Sequence, residues 1–383
     1  MYAALRDHDP VHHVADGDYW VLSRFDDVWS AARDTATFSS AQGLTTTYGE
    51  REKIGLTEAA PIVMMDPPEH TAFRRLVARG FTPRQVDSLE PAVRSFVADR
   101  LDRVGDAGTV DIVAELFKPL PSFVVAHYLG VPDADRARFD VWSTAIVEAN
   151  AEGHAVDAAE RLGELLEYFA HLIELRRTEP GDDMISELVG ATVADPGGGP
   201  DREVSLVQIL GFAFTMVAGG NDTVTGLLGG TAELLTDLPA QRRLLIDDPS
   251  LIPGALDEFL RLTCPVQGLA RTATRDVEIG GTVIPAGRKV VLGYASANRD
   301  PREFGATAEE CDVTRRIRHI MSFGYGAHHC LGAAAARLQG RVVIGELLAR
   351  FPGFAVDAAA GRFAGGNSVR RYRSLPFSTT GGS

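Results

Sequence analysis

The residues best able to do chemistry cluster near the C-terminal end, in Phe323-Gly324-Tyr325-Gly326-Ala327-His328-His329-Cys330-Leu331-Gly332. Three glycines fall within these ten residues, and a helical repeat of Leu331, Ala335, Leu338, Val342 and Gly345 follows directly. Cys330 therefore stands at a helix N-terminus. Unpaired backbone N–H groups and the helix dipole favour an anion there, so its thiol is expected to ionise more readily than a free cysteine. The glycines remove side chains and let a flat or bulky group approach the backbone. Three chemistries stay open: a buried structural thiol, a nucleophile with His328 or His329 as base, or a thiolate ligand on a haem iron with glycine-lined backbone against the porphyrin. The nucleophile asks for a base and an orienting group converging across the fold, which adjacent histidines do not supply. A zinc site lacks paired ligand spacing.

A second constellation is Ala218-Gly219-Gly220-Asn221-Asp222-Thr223, inside the helical stretch 204–235. Each glycine in a helix costs about 1 kcal/mol relative to Ala, which close packing or function must offset. A hydroxyl beside an acid at a glycine-loosened turn can bond a freed carbonyl and relay protons. Glu258 and Arg261, three apart, share a helix face, where most such pairs are solvated and of small worth. His70, Arg74, Arg271 and His328 each read alone as surface cations.

These residues need elements to hold them. Apolar residues recurring every three to four positions predict helices at 24–34, 69–79, 87–104, 112–128, 133–148, 154–178, 204–235, 239–247, 251–262 and 332–350. The helix after Pro67-Pro68 places Glu69 first and Arg74, Arg75 and Arg79 last, as the macrodipole prefers. Strands are expected at 11–21, 289–294 and 368–377, with a hairpin at 277–284 about Gly280-Gly281. The fold class is mainly α with minor β-sheets. The tract 195–200 reads as a surface loop, and 35–61 as a long irregular segment.

Composition narrows the function. The 383 residues carry 38 − 52 = −14 charges, and 45% are hydrophobic against 23% charged, which excludes disorder and collagen. An acidic balance argues against nucleic acid as a partner. The apolar stretch at 209–218 falls short of the roughly 20 residues of a spanning helix, so no membrane anchor is expected. Residues 1–10, with Arg6, Asp7 and Asp9, show no secretory signal. Cys264, Cys311 and Cys330 are too scattered for a disulfide framework, and a reducing, cytoplasmic setting is expected. Length alone permits one large domain or two average ones.

The cysteine segment resembles the haem-binding signature of the cytochrome P450 family at each defining position: Phe323, Gly324, Gly326, His328, Cys330 and Gly332. Other motifs follow in family order. The segment 218–223 resembles the oxygen-activation motif, which implies that Gly219 and Gly220 open a groove over the iron. By the same match Asp222 lies on the proton route, Thr223 holds dioxygen or its water, and Phe212 and Met216 look into the substrate pocket. Glu258 and Arg261 resemble the buried Glu-x-x-Arg pair that buttresses the cysteine loop, a structural role. His70, Arg74, Arg271 and His328 match the positions that clamp the haem propionates, and His329 receives no role. The meander is recognisable in Ala297-Asn298-Arg299-Asp300-Pro301, Phe304 and Asp312. Glu310 and Cys311 stand where Arg and Phe are common, which puts the usual third partner of the Glu258–Arg261 pair in doubt. Cys311 then reads as a small core substitute, and Cys264 is expected near the pocket.

The resemblance, from about residue 9 to 377, implies a single triangular domain over 1–383 enclosing haem b between the stretch 204–235 and the Cys330 loop. It implies a soluble bacterial monooxygenase that takes NAD(P)H electrons through a ferredoxin and ferredoxin reductase and inserts one atom of O2 into an apolar, medium-sized small molecule. Arg74, Arg75, Arg79, Arg337 and Arg341 are expected to form a basic patch that steers the acidic ferredoxin. Pocket walls are expected in 35–65, 140–165, 212–219, 265–270 and 364–369. A peroxide-driven peroxygenase and a haem-binding sensor protein are the rivals, and neither requires Asp222 with Thr223.

Overall fold

Local chemistry sets where the helices begin. Ser205 caps the helix Leu206–Asp237 reciprocally: the Gln208 N–H donates to its hydroxyl at 3.2 Å, and its own N–H donates to the Gln208 side chain at 2.9 Å. The helix Pro83–Ala107 starts four residues before the apolar repeat at 87, because Pro83 occupies the first helical position, where a missing N–H costs nothing. The stretch 112–128 resolves into a π-helical turn, Val113–Phe117, and the helix Pro119–Tyr128. The computed structural model describes residues 1–53, 60–152, 155–195, 197–366 and 369–380.

Leu206–Asp237 is the central helix. Against it pack Pro119–Tyr128, Arg136–Glu152, Ala155–Thr178, Ile252–Thr263 and Ala333–Arg350, and their apolar faces form the larger core. A smaller core lies under a five-stranded sheet ordered Val11–Val14, Tyr19–Leu22, Lys289–Leu292, Leu269–Ala273 and Phe38–Ser39. Within it Lys289–Leu292 runs parallel to Tyr19–Leu22 and antiparallel to Leu269–Ala273, with Val290 opposite Arg271. A three-stranded antiparallel sheet joins Ala355–Val356, Pro376–Ser378 and Thr109–Asp111.

Thr192–Val193 and Arg202–Glu203, on either side of the tract 195–200, pair as antiparallel strands, and position 196 lies outside the described residues. The strand expected at 289–294 ends at Leu292, and Tyr294–Ala297 is a helical turn. The helix Tyr2–His8 was not anticipated. It is held by buried Arg6, which donates to the Ser296 carbonyl at 3.0 Å and pairs with Glu309 at 3.0 Å. The strands Leu269–Ala273, Phe38–Ser39 and Thr109–Asp111 were also missed, the last two being too short to show a period. Among the described residues no helix is long and apolar enough to cross a membrane.

Candidate active site

Backbone hydrogen bonds shape the cysteine loop: Gly324 N–H to Met321 O at 2.8 Å, His329 N–H to Gly326 O at 3.1 Å and Cys330 N–H to Phe323 O at 2.8 Å. Gly326 takes a φ of +71°, and a Cβ there would lie 2.7 Å from the Ala32 carbonyl, so only glycine seats the loop on the helix Phe25–Arg33. Cys330 shows accessible surface although burial pushes its thiol pKa up. The expected easier ionisation is thus reversed: burial outweighs the Gly332 N–H bonded to the sulfur and the charges of Arg74 and Arg337.

The four expected clamp residues arrive from three elements. His70 and Arg74 lie on the helix Glu69–Val77, Arg271 on the strand Leu269–Ala273, and His328 in the cysteine loop. The His70 and His328 rings are 4.2 Å apart, and Arg74 donates to the His329 carbonyl at 2.5 Å. Burial, then Arg74, holds the His70 pKa down to about 4; burial, then Arg271, holds His328 down to about 3. Both ring nitrogens of His70, itself 1% exposed, lack a partner. Among the described residues neither Arg74 nor Arg271 makes an ion pair. Asp66, whose charge acts on His70, accepts from the Ser39 hydroxyl at 2.5 Å and the Ser40 N–H at 2.9 Å. Four donors, of which His70 and Arg271 are buried, gathered with no acid paired to them fit the two carboxylates of a haem, and Cys330 fits its iron.

On the central helix, Thr223 donates to the Gly219 carbonyl at 3.0 Å. A Cβ at Gly219 would meet nothing within 4 Å, so this glycine opens a space, as expected. Gly220 does not: a Cβ there would lie 2.7 Å from Val125 Cγ2, so its smallness serves helix packing. Phe212 is also corrected. At 2% exposed it sits in the core, edge-on to Phe73 with ring centres 6.4 Å apart, whereas Met216 keeps partial exposure. Asp222 forms an ion pair with Arg371 at 2.5 Å, a partner that no local pattern could announce.

Glu258 and Arg261 are fully buried and paired through two bonds of 2.7 and 2.8 Å. The doubtful third partner exists: Arg315 Nε lies 3.2 Å from Glu258 Oε1, displaced in sequence from the site at 310. Arg261 also donates to the Asn298 carbonyl at 2.8 Å. The Asn298 side chain donates to Ser322 at 2.8 Å and accepts from the Met321 N–H at 2.7 Å. The pair thus reaches the start of the cysteine loop through backbone it holds directly. Cys264 is buried with its thiol donating to the Val266 carbonyl at 3.3 Å, so it does not face the pocket; Cys311 packs against the helical core.

The expected basic patch is smaller than its five arginines. Arg337 pairs with Asp257 at 2.9 Å, Arg341 pairs with Glu90, and Arg74 turns inward, leaving exposed Arg75 and Arg79 without an ion pair among the described residues. Of the expected walls, 265–270 and 364–369 meet, since Arg370 N–H donates to Pro265 O at 2.7 Å and Val266 bridges Val369. In 35–65, buried Lys289 donates to the Gln42 carbonyl at 2.7 Å. Positions 54–59, 153–154 and 367–368 of these walls lie outside the described residues.

Comparison with known proteins agrees with this geometry. The family model "Cytochrome P450" matches residues 246–354, which contain the buried pair and the cysteine loop. Cytochrome P450 130 of Mycobacterium tuberculosis is 60% identical, over 99% of this chain and 94% of its own length. Vitamin D(3) 25-hydroxylase of Pseudonocardia autotrophica is 38% identical, over 93% of this chain and 86% of its own. The solved structure of the bacillaene polyketide synthase cytochrome P450 PksS of Bacillus subtilis 168 superposes with a TM-score of 0.88 at 30% identity, covering 99% of this chain and 96% of that one. With the fold shared and the cysteine loop, buried pair and cation cluster all in place, this chain belongs to the cytochrome P450 family and is a haem-thiolate monooxygenase.

Proposed function

We propose that the chain is one domain over residues 1–383, holds haem b, and oxidises an apolar, medium-sized small molecule in the cytoplasm with electrons from NAD(P)H delivered by a ferredoxin and ferredoxin reductase. The observation that carries this reading is an accessible Cys330 in a loop that gathers His70, Arg74, Arg271 and His328 with no acid paired to them. A haem bound there supplies the redox chemistry by which one atom of O2 enters the substrate and the other leaves as water.

The residues have separate tasks. Cys330 ligates the iron as thiolate, with the Gly332 N–H bonded to its sulfur to stabilise negative charge. His70, Arg74, Arg271 and His328 bind the propionates. Gly219 leaves room on the oxygen side, Thr223 offers a hydroxyl already oriented by the Gly219 carbonyl, and Asp222 supplies protons. Apolar walls exclude water and limit wasted reduction. The Pseudonocardia relative, named for hydroxylation of vitamin D(3), supports an apolar substrate of this size.

One spectrum tests the reading. The reduced, CO-bound protein is expected to show the strongly red-shifted Soret band of thiolate ligation, absent in Cys330→Ala. A purified protein that binds no haem overturns it. Turnover with the ferredoxin system, and none sustained by peroxide alone, separates the monooxygenase from the peroxygenase.

A further inference from the structure

Asp222, expected on the proton route, has its carboxylate paired with the guanidinium of Arg371. The Nε–Oδ1 distance is 2.5 Å, an ion pair by distance in which Arg371 Nε makes no hydrogen bond, and the side chains are only 13% and 4% exposed. The approach is built into both chains of contact. Asp222, Gly226 and Gly229 follow one another at intervals of four and three on the central helix, hence on one face. A Cβ at Gly226 would lie 2.6 Å from the Arg370 carbonyl, and one at Gly229 would lie 3.1 Å from the Tyr372 ring. Residues 370–372 therefore run directly along that face, and Arg371, between the two contacts, reaches back to Asp222.

The same short segment adjoins two of the segments expected as pocket walls, 265–270 and 364–369. Arg370 donates its N–H to the Pro265 carbonyl at 2.7 Å and stacks its guanidinium 4.5 Å from the Phe363 ring centre, and Val369 bridges Val266. The Arg371 carbonyl accepts from Ala364 N–H at 3.0 Å. Two of the segments expected to meet substrate are thus fastened to each other and, through Arg371, to the acid of the central helix.

We propose that Arg371 is a positioning residue for proton delivery: it holds the Asp222 carboxylate toward residues 369–371, which are fastened to Pro265 and Val266, so that this segment also sets where the acid points. Arg371 acts through Asp222. The inference rests on the reading of Asp222 as the acid of the proton route. It explains why an acid needed by the chemistry is found in a buried pair, and why glycines stand at 226 and 229.

The experiment uses haem-loaded protein with Asp222→Asn, Arg371→Met, Arg371→Lys and the Asp222→Asn/Arg371→Met double variant, each with a substrate found by spin-state titration. Arg371→Met is expected to lower kcat about tenfold and to raise the solvent deuterium isotope effect, with the spin-state Kd changed less than threefold. Arg371→Lys is expected to recover most of the loss, because charge is kept. In the Asp222→Asn background the Arg371→Met change is expected to have little further effect. Equal losses in both backgrounds, or an isotope effect unchanged in Arg371→Met, overturn the positioning role. Should Arg371→Met fail to take up haem, Arg371→Gln carries the test: an isotope effect raised by it in the parent but not in Asp222→Asn supports the proposal, and no change in either overturns it. If Asp222→Asn itself turns over normally, the proton-route reading fails first, which distinguishes the two failures.

Discussion

His70 illustrates how one side chain takes its chemistry from its surroundings. Its ordinary pKa near 6.5 falls to about 4 because burial and the Arg74 charge oppose protonation. The folded haem-free chain keeps it neutral while the unfolded chain protonates below 6.5, so its contribution to stability is full above that pH and is lost as pH falls toward 4. From pH 7 to pH 5 the haem-free protein is expected to lose about 1–2 kcal/mol more stability than His70→Asn, by urea midpoint. Loading haem is expected to shrink that difference, since a propionate accepting from the ring favours its charged form; identical pH slopes for the two proteins would contradict the account. Position in sequence could not reveal that His70 is buried without a partner, nor that Phe212 is core. Both depend on what other elements bring alongside.

At the scale of elements, the central helix shows one residue type used in two ways. Gly219 faces open space, whereas Gly220, Gly226 and Gly230 would meet Val125, the Arg370 carbonyl and Thr263 within 2.6–2.7 Å. Replacement by alanine separates them. Gly219→Ala is expected to raise stability by up to about 1 kcal/mol through helix propensity while narrowing the cavity and weakening ligand-induced spectral shifts. Gly226→Ala, facing a carbonyl that cannot rotate away, is expected to cost about 1–3 kcal/mol. Thermal unfolding that ranks Gly226→Ala above Gly219→Ala would refute this division. The helix itself was legible from its apolar repeat and from the Ser205 and Gln208 cap, because those are local properties. Which glycine packs and which one opens was decided by the neighbouring helix and strand.

For the whole molecule, a charge of −14 conceals local detail that matters for a docking partner. Glu90 and Asp257 offset two of the five arginines expected on the cysteine side, so steering must rest on Arg75 and Arg79. Arg75→Glu with Arg79→Glu is expected to slow reduction by an acidic ferredoxin and to flatten its dependence on ionic strength, whereas Arg337→Gln, already paired, changes it less. Stopped-flow reduction that is equally fast and equally salt-dependent in the double variant would remove this face as the docking site.

Sequence by itself determined the chemistry: the spacing of Phe323, Gly324, Gly326, His328, Cys330 and Gly332 is contiguous, and contiguous patterns survive without coordinates. It also determined the main helices, since their periods and caps are local. Tertiary structure decided what depends on distant residues meeting. Arg315 completes the Glu258–Arg261 pair from an unexpected position, burial reverses the expected pKa of Cys330, and Arg371 closes on Asp222. Ion pairs and pKa values follow distance and desolvation, and neither is set until the chain has folded.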